Sequence, residues 1–579
     1  TVSLCCDTCI ALSRNREVIP ELGSLTACQV ITNFLRAHAT DAAVVLSGFQ
    51  LVRILCTNAT IRARLGDVGI CECVVRACRK HQTFDTVIEA GFAVMRALAT
   101  NVQSNKVMLG ESGACAFIVE TLKFGICSPQ QIEVACAAIA SLANCGTECN
   151  NVSALDQAGI VTVLVEIFQS HIGSSSIMKQ VCTIVSHLAM SPQGPNKKLG
   201  ELEICDKTVM ALATHMGVNG VNSVICSCVR ALAQNGENKI LMGSSGCCNI
   251  VTKLLGFSIE NDDFNLVEES LLTIASLVHG SCSNQEAFGL AGACELVSEL
   301  VGDQNDIAVN EKSLWCVAYL CRSGLEPITT SERNINTFHS SGVVESILDL
   351  MRKYKDNENL IVPACWSLRS MCFVQAIAKA VLASRGLDTL CAVLRTYMHE
   401  SRVIEAVCFA SAAVLAADHG MSLGSSGICE LVVRAMQRHM SMPTVVDRCC
   451  SCIANLCSQG SEYRHRFGNE GACAIVARAM RLHLRLKRVA EESCGAVWNL
   501  SIENPDNRIK FGCEGVCETI VDIVKIHEND VYVKNAAMGA LKALSVDCEE
   551  NARRINACRG VDRQLVDSSS TDFGVSLRE

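Results

Sequence analysis

Prolines and aromatic side chains are scarce in this chain. Eight prolines in 579 residues leave few helix breakers, and 4% aromatic content leaves few large rings to fill a thick globular core. The 49% hydrophobic content instead suits many thin layers of Ala, Val, Leu, Ile and Cys. A basic excess is also missing, because 50 Lys and Arg face 59 Asp and Glu, for a net charge of −9. General nucleic-acid binding needs surplus cations against phosphate, so no nucleic-acid partner is expected. No apolar run reaches the ~18 residues of a membrane span, and no membrane insertion is expected. The run 407–417 ends at Asp418 and reads as a buried helix. There is no phosphate-binding glycine loop, nucleophile elbow, HExxH or suitably spaced Ser/His/Asp set, so an enzyme, a metal site and a cofactor are not expected. The start at Thr1, without Met and inside a repeating unit, raises the expectation of a longer parent chain.

What is present is a glycine column with a spacing of about 44 residues. Its members are Gly69, Gly113, Gly159, Gly246, Gly292, Gly342, Gly386, Gly427, Gly471, Gly515 and Gly560, with Thr26 and Glu203 where two more would fall. A fixed period of this size means stacked helical units rather than one globular core. A second glycine column runs three residues earlier, at Gly23, Gly66, Gly110, Gly200, Gly243, Gly289, Gly424, Gly468 and Gly512. Paired glycines permit a sharp turn and close helix approach. Six asparagines stand eight residues before the first column: Asn105, Asn151, Asn238, Asn284, Asn334 and Asn507. They read as N-caps of a short first helix. A second, amphipathic helix carries Val516, Ile520, Val521, Ile523 and Val524 in the Gly515 unit and ends near His527. A third, longest helix spans about 530–545, and in 134–143 it is apolar on most faces. An insertion at 324–332 stretches one spacing to 50 residues, and the spacing to Gly427 shrinks to 41. Each is expected to shift the stack locally.

Cysteine is abundant, with 38 residues, about 7% of the chain. Short disulfide scaffolds exceed roughly 8–10%. Cys28, Cys71, Cys115, Cys205, Cys248, Cys294, Cys429, Cys473 and Cys517 recur two residues after the glycine position. Equivalent points on stacked helices lie ~8–10 Å apart, beyond the ~7 Å a disulfide tolerates between Cα atoms. These cysteines therefore read as small buried hydrophobes of a reducing compartment. Cys5/Cys6/Cys9, Cys145/Cys149 and Cys449/Cys450/Cys452 lack the paired sets zinc favours and read as core. His38, His81, His171, His215, His439, His483 and His527 form a column twelve residues after the glycine position. At a helix C-terminus they read as caps for end carbonyls rather than metal ligands.

The N-x₇-G first half and the third-helix segments 134–143, 449–457 and 493–501 resemble the armadillo (ARM) repeat, over nearly the whole chain. The resemblance implies an all-α, right-handed α-solenoid of about 13 three-helix repeats, with third helices lining a concave groove that binds extended peptides or proteins. On this reading residues 1–566 are a single solenoid with incomplete first and last repeats, and 567–579 are a disordered tail or linker. Import adaptors of the family carry a Trp followed four residues later by an Asn on the third helix. Here the Asn position holds Asn455 and Asn499, the Trp position holds Trp315 and Trp366, and no unit has both. One residue before the Asn position lie Arg53, Arg96, Arg230, Arg369 and Lys542, with Trp498 at that point in its own unit. A guanidinium column there suits acidic side chains or a C-terminal carboxylate. Alanines at 140, 275, 318, 413 and 454 break it. The basic stretch 478–488, preceded by Arg464 and Arg466, reads as a solvated helix face.

The expected function is a non-enzymatic scaffold for a protein or peptide partner, of acidic character where the arginines lie. The alternatives are a recruiting region of a larger multidomain protein related to a kinase or GTPase and, less favoured, a nuclear transport adaptor. The expected location is cytoplasmic, with the nucleus also open, and a monomer is expected. Freshly prepared protein should run identically on reducing and non-reducing gels. A disulfide-dependent band formed without added oxidant would contradict the reducing-compartment reading.

Overall fold

The computed structural model describes residues 8–13, 18–124, 128–146, 149–218, 220–302, 306–322, 329–415 and 427–558. The tail from 567, Gly424, Gly560, Cys5 and Cys6 lie outside them, as do 323–328 at the insertion. The described chain is an all-α solenoid, built as two compact units, Thr1–Leu277 and Val278–Glu579. One repeat of the second unit illustrates the plan, with helices Pro505–Cys513, Val516–Ile526 and Val531–Ser545.

Glycine makes the first corner. Gly515 has φ 69° and N-caps the second helix, while its N–H donates to the Gly512 carbonyl at 3.1 Å. A left-handed residue just past a helix end satisfies carbonyls the helix leaves open, and glycine adopts it without strain. Glu203 takes the same conformation at φ 62°, as its column position implies. Two column assignments need correction. In the Gly386 unit the left-handed residue is Arg385, at φ 58°, and Gly386 is the first helical residue. Thr26 lies inside helix Leu25–Ala37, which starts earlier because Ser24 caps it, accepting from the Ala27 N–H.

The asparagine column has a different role from the capping predicted. The caps sit three residues earlier in some repeats: Asn235 accepts from Asn238 N, and Asn504 accepts from Asn507 N. The column asparagines are buried, and Asn105, Asn151, Asn238, Asn334 and Asn507 reach into the preceding repeat. Asn507 Nδ2 donates to the Arg464 carbonyl at 2.9 Å, on the preceding first helix, and to Leu500 at 3.0 Å, on the preceding third helix. Asn105 does the same to Arg62 and Leu98, Asn151 to Lys106 and Leu142, and Asn334 to Gln285 and Leu320. Asn551, outside the predicted column, repeats it with Arg508 and Leu544. The carboxamide oxygen lies against the second glycine column. A methyl built on Gly66, Gly110, Gly200, Gly289, Gly468 or Gly512 would overlap the oxygen of Asn105, Asn151, Asn238, Asn334, Asn507 or Asn551. Asparagine and glycine thus form one lock, and in the first repeats Ile61 fills the corresponding place against Gly23. At the insertion, Asn334 keeps the lock on Gly289 because the added residues fall between its third-helix acceptor and helix Thr329–Ser340.

Other columns also work between repeats. The residue after the asparagine position staples the C-termini of two successive third helices. Arg508 donates to Ser501 and Val546 carbonyls at 2.9 Å each, and Arg464 to Cys457 and Ile502 at 3.0 and 3.2 Å. Cations belong at helix C-termini, where carbonyls are unpaired and the dipole is negative. The histidines sit at second-helix C-termini as expected, but several of their side chains bond the preceding repeat. Nε2 of His81, His215, His483 and His527 donates to Ala39, Ile172, Met440 and Leu484 carbonyls at 2.7–3.0 Å.

The column cysteines are buried among these helices. Burial pushes the Cys71, Cys115 and Cys473 thiols up to about 12, which keeps them protonated and unreactive at neutral pH. Among the described cysteines only Cys513 is exposed. In native protein, thiol reagents should label Cys513 rapidly and the column cysteines only on unfolding.

Replacing a lock asparagine removes two buried hydrogen bonds, to a first-helix and a third-helix carbonyl, at a cost of about 1–3 kcal/mol. Asn507→Ala should therefore lower stability by about 2 kcal/mol. Because each repeat contacts its neighbours, hydrogen exchange should accelerate first around 461–558. Uniform acceleration along the chain would count against the lock.

Candidate interaction surface

Third helices pack side by side in each unit. In the first unit Ala42–Leu55 lies beside Asp85–Ala99, which lies beside Pro129–Ala143. In the second, Glu358–Met371, Ser401–Leu415, Pro443–Gln459, Lys487–Ser501 and Val531–Ser545 follow one another. Their apolar faces are buried, and what remains is a row of partly exposed positions.

Arg53 and Arg96 lie exposed on adjacent third helices, with no hydrogen-bond or ion-pair partner for their guanidiniums among the described residues. Arg230 is different. Its Nη1 lies 2.5 Å from Glu269 Oε2 and 3.4 Å from Thr273 Oγ1, so the next third helix already neutralises it. The broken arginine column therefore divides into two accessible cations and one structural ion pair in this unit. Lys542 is exposed at its end of the second unit.

The three tryptophans have faces occupied from within. Trp315 stacks on Tyr319 at 5.5 Å and 20°. Trp366 packs against Phe409 at 5.3 Å and carries the Arg369 guanidinium 5.4 Å from its ring. Trp498 lies against the next third helix, so close to Gly539 that a methyl there would collide with the indole. Asn499 turns back on its own helix, donating to the Gly495 carbonyl at 3.0 Å. Asn455 is half-buried, with no side-chain hydrogen bond among the described residues.

The structure therefore brings Trp366 and Arg369 together, and each of the other predicted residues stays on its own helix with its own surroundings. It also adds residues that the repeat register missed. Phe409 receives Arg369 at 4.8 Å and Arg448 at 4.2 Å from its centroid. Asp447 is buried beside Arg448 and pairs with Arg488 Nε at 2.8 Å. Burial raises the Asp447 carboxyl, opposed by Arg448 and Arg488. Burial likewise raises the Glu492 carboxyl, with Asp447 adding to it. Burial, reinforced by Arg322 and Arg448, lowers the Arg369 guanidinium to about 10. These residues occupy non-equivalent positions on successive third helices, so a column reading could not pair them.

No family model and no curated protein matches the chain. Solved structures do. A crystal structure of an engineered protein aligns with a TM-score of 0.56 at 17% identity, covering 82% of this chain and 98% of that one. A structure from a study of the phosphorylation switch in the interaction between cadherin and beta-catenin aligns with a TM-score of 0.58 at 14% identity, covering 87% and 98%. At these identities the likeness is one of fold.

Trp498→Ala should cost about 2 kcal/mol by denaturant unfolding, as a half-buried aromatic contact with the next third helix is lost. Asn499→Ala should stay within about 0.5 kcal/mol, because it breaks only a local helix bond. Equal costs would show that the indole does not hold the neighbouring helix.

Proposed function

We propose that the chain is an armadillo-type, non-enzymatic scaffold that binds an extended peptide or protein segment along its third helices. One observation carries this reading. In each unit the third-helix row presents partly exposed polar positions, the cations Arg53 and Arg96 in the first and half-buried Asn455 in the second. Long shallow surfaces of this kind suit extended segments better than small molecules. The fold likeness to a structure concerned with a protein–protein interaction adds support. Catalysis needs converging groups of matched pKa, and the row spreads its groups instead.

The import-adaptor alternative loses ground on the tryptophans. A basic peptide side chain would need an open indole face beside an available asparagine. Arg369 already occupies Trp366, Trp498 is covered at Gly539, and Asn499 is bonded to its own helix. A recruiting region of a larger protein stays compatible with the same surface. The wealth of buried thiols supports a reducing location, cytoplasmic or nuclear.

The test is a footprint. A partner captured from native lysate should slow hydrogen exchange in third helices, and Arg96→Glu should weaken its retention at least tenfold. Arg230→Glu should act mainly on stability, since its guanidinium is already paired. Protection confined to second helices would overturn the reading.

A further inference from the structure

The slot around Phe409 gathers guanidiniums that its own acids do not all pair. Arg369 has two aromatic contacts, to Trp366 and Phe409, and no carboxylate partner among the described residues. The charges that act on it most are two other cations, Arg322 and Arg448. Arg448 shares the Phe409 ring. Its Nη1 lies 3.1 Å from Asp447 Oδ1, but that oxygen accepts no hydrogen bond, and the buried Arg448 Nε has no acceptor among the described residues. Asp447 also serves Arg488, so one carboxylate is divided between two guanidiniums. Glu405 and Glu492 are the other acids that act on Arg448, and neither is an ion-pair partner of Arg369; burial biases Glu492 toward its neutral form, and it bonds Ser451.

Stacking on rings holds a guanidinium in place without using its N–H donors. A partly desolvated arginine with open donors and like-charged neighbours is an unfavourable arrangement in isolation. It becomes favourable when a carboxylate arrives, because forked N–H···O bonds strengthen as water is excluded. Arginine suits this task through its planar, preorganised donor set.

We propose that Arg369 and Arg448, positioned by Trp366 and Phe409, form an anion-binding notch that receives a glutamate or aspartate side chain of an acidic peptide segment bound along the third helices. This rests on the scaffold reading and adds to it a partner chemistry and an anchor point. The aromatic pair sets the orientation, the two guanidiniums supply the donors, and Asp447 with Arg488 holds Arg448 from behind.

The experiment is fluorescence-polarisation titration of the full chain with an extended glutamate-rich peptide and its glutamine counterpart. The wild type should bind the glutamate peptide at least tenfold more tightly. Arg369→Met, which keeps an apolar stem between the rings, and Arg448→Met should each reduce glutamate-peptide binding to the glutamine level. Arg369→Lys, which keeps the charge but loses the fork, should fall between. Circular dichroism and melting confirm that each variant is folded, and Arg369→Lys serves if the methionine variant is not. Equal affinity for both peptides, undiminished binding by the Arg369 variants, or no binding of the glutamate peptide would overturn the notch. If the glutamine peptide binds wild type and Arg369→Met alike, with third-helix protection, the notch fails and the scaffold reading stands. A phosphoserine peptide that binds while the glutamate peptide does not also overturns the carboxylate assignment.

Discussion

A helix end is an unfinished object, with carbonyls that nothing in its own turn can satisfy. Short helices stacked in series multiply the problem. This chain resolves it between repeats. A buried asparagine spans two carbonyls of the preceding repeat, and its oxygen needs a glycine opposite. The next residue, often arginine, bonds the ends of two third helices, and the histidine closes the loop side. The repeat period follows from this constraint, since the bonded residues lie 43 apart in sequence for Asn507, Asn551, His483 and His527 alike.

Locking the first and second helices this way fixes the third helices in a row. Their inner faces are spent on packing, and their outer positions are free to vary. That is why Arg53 and Arg96 remain open while Arg230 has been drawn into an ion pair with the next helix. It is also why Trp366 and Trp498 serve the stack, each lying on the next third helix, while Trp315 stacks on Tyr319 of its own helix. The slot at Phe409 combines both tendencies, because its rings are packing residues and Arg369 beside them has no carboxylate partner among the described residues.

Much of the fold was legible because the period repeats. The three helices, the turn glycines and the buried cysteines all follow from columns that a single repeat would not reveal. The role of the asparagines did not follow. Capping and bridging place the same residue near the same helix start, and only the position of the preceding repeat distinguishes them. Gly386 was misread as the turn residue because a glycine carries the usual signature, while the backbone uses Arg385 beside it. At the candidate surface, Trp366 and Arg369 were found through the third-helix register. Phe409, Arg448 and Asp447 were missed, since their juxtaposition depends on how successive helices are offset. The pairing of Arg230 with Glu269 was equally invisible, being a contact across repeats.

The lock itself admits a direct measurement, a double-mutant cycle between Gly468 and Asn507. Alone, Gly468→Ala places a methyl on the asparagine oxygen. In an Asn507→Ala background that oxygen is gone. The account predicts that Gly468→Ala is strongly destabilising in the wild type and nearly neutral in the double mutant, with a coupling of about 1–3 kcal/mol. Additive costs would contradict it.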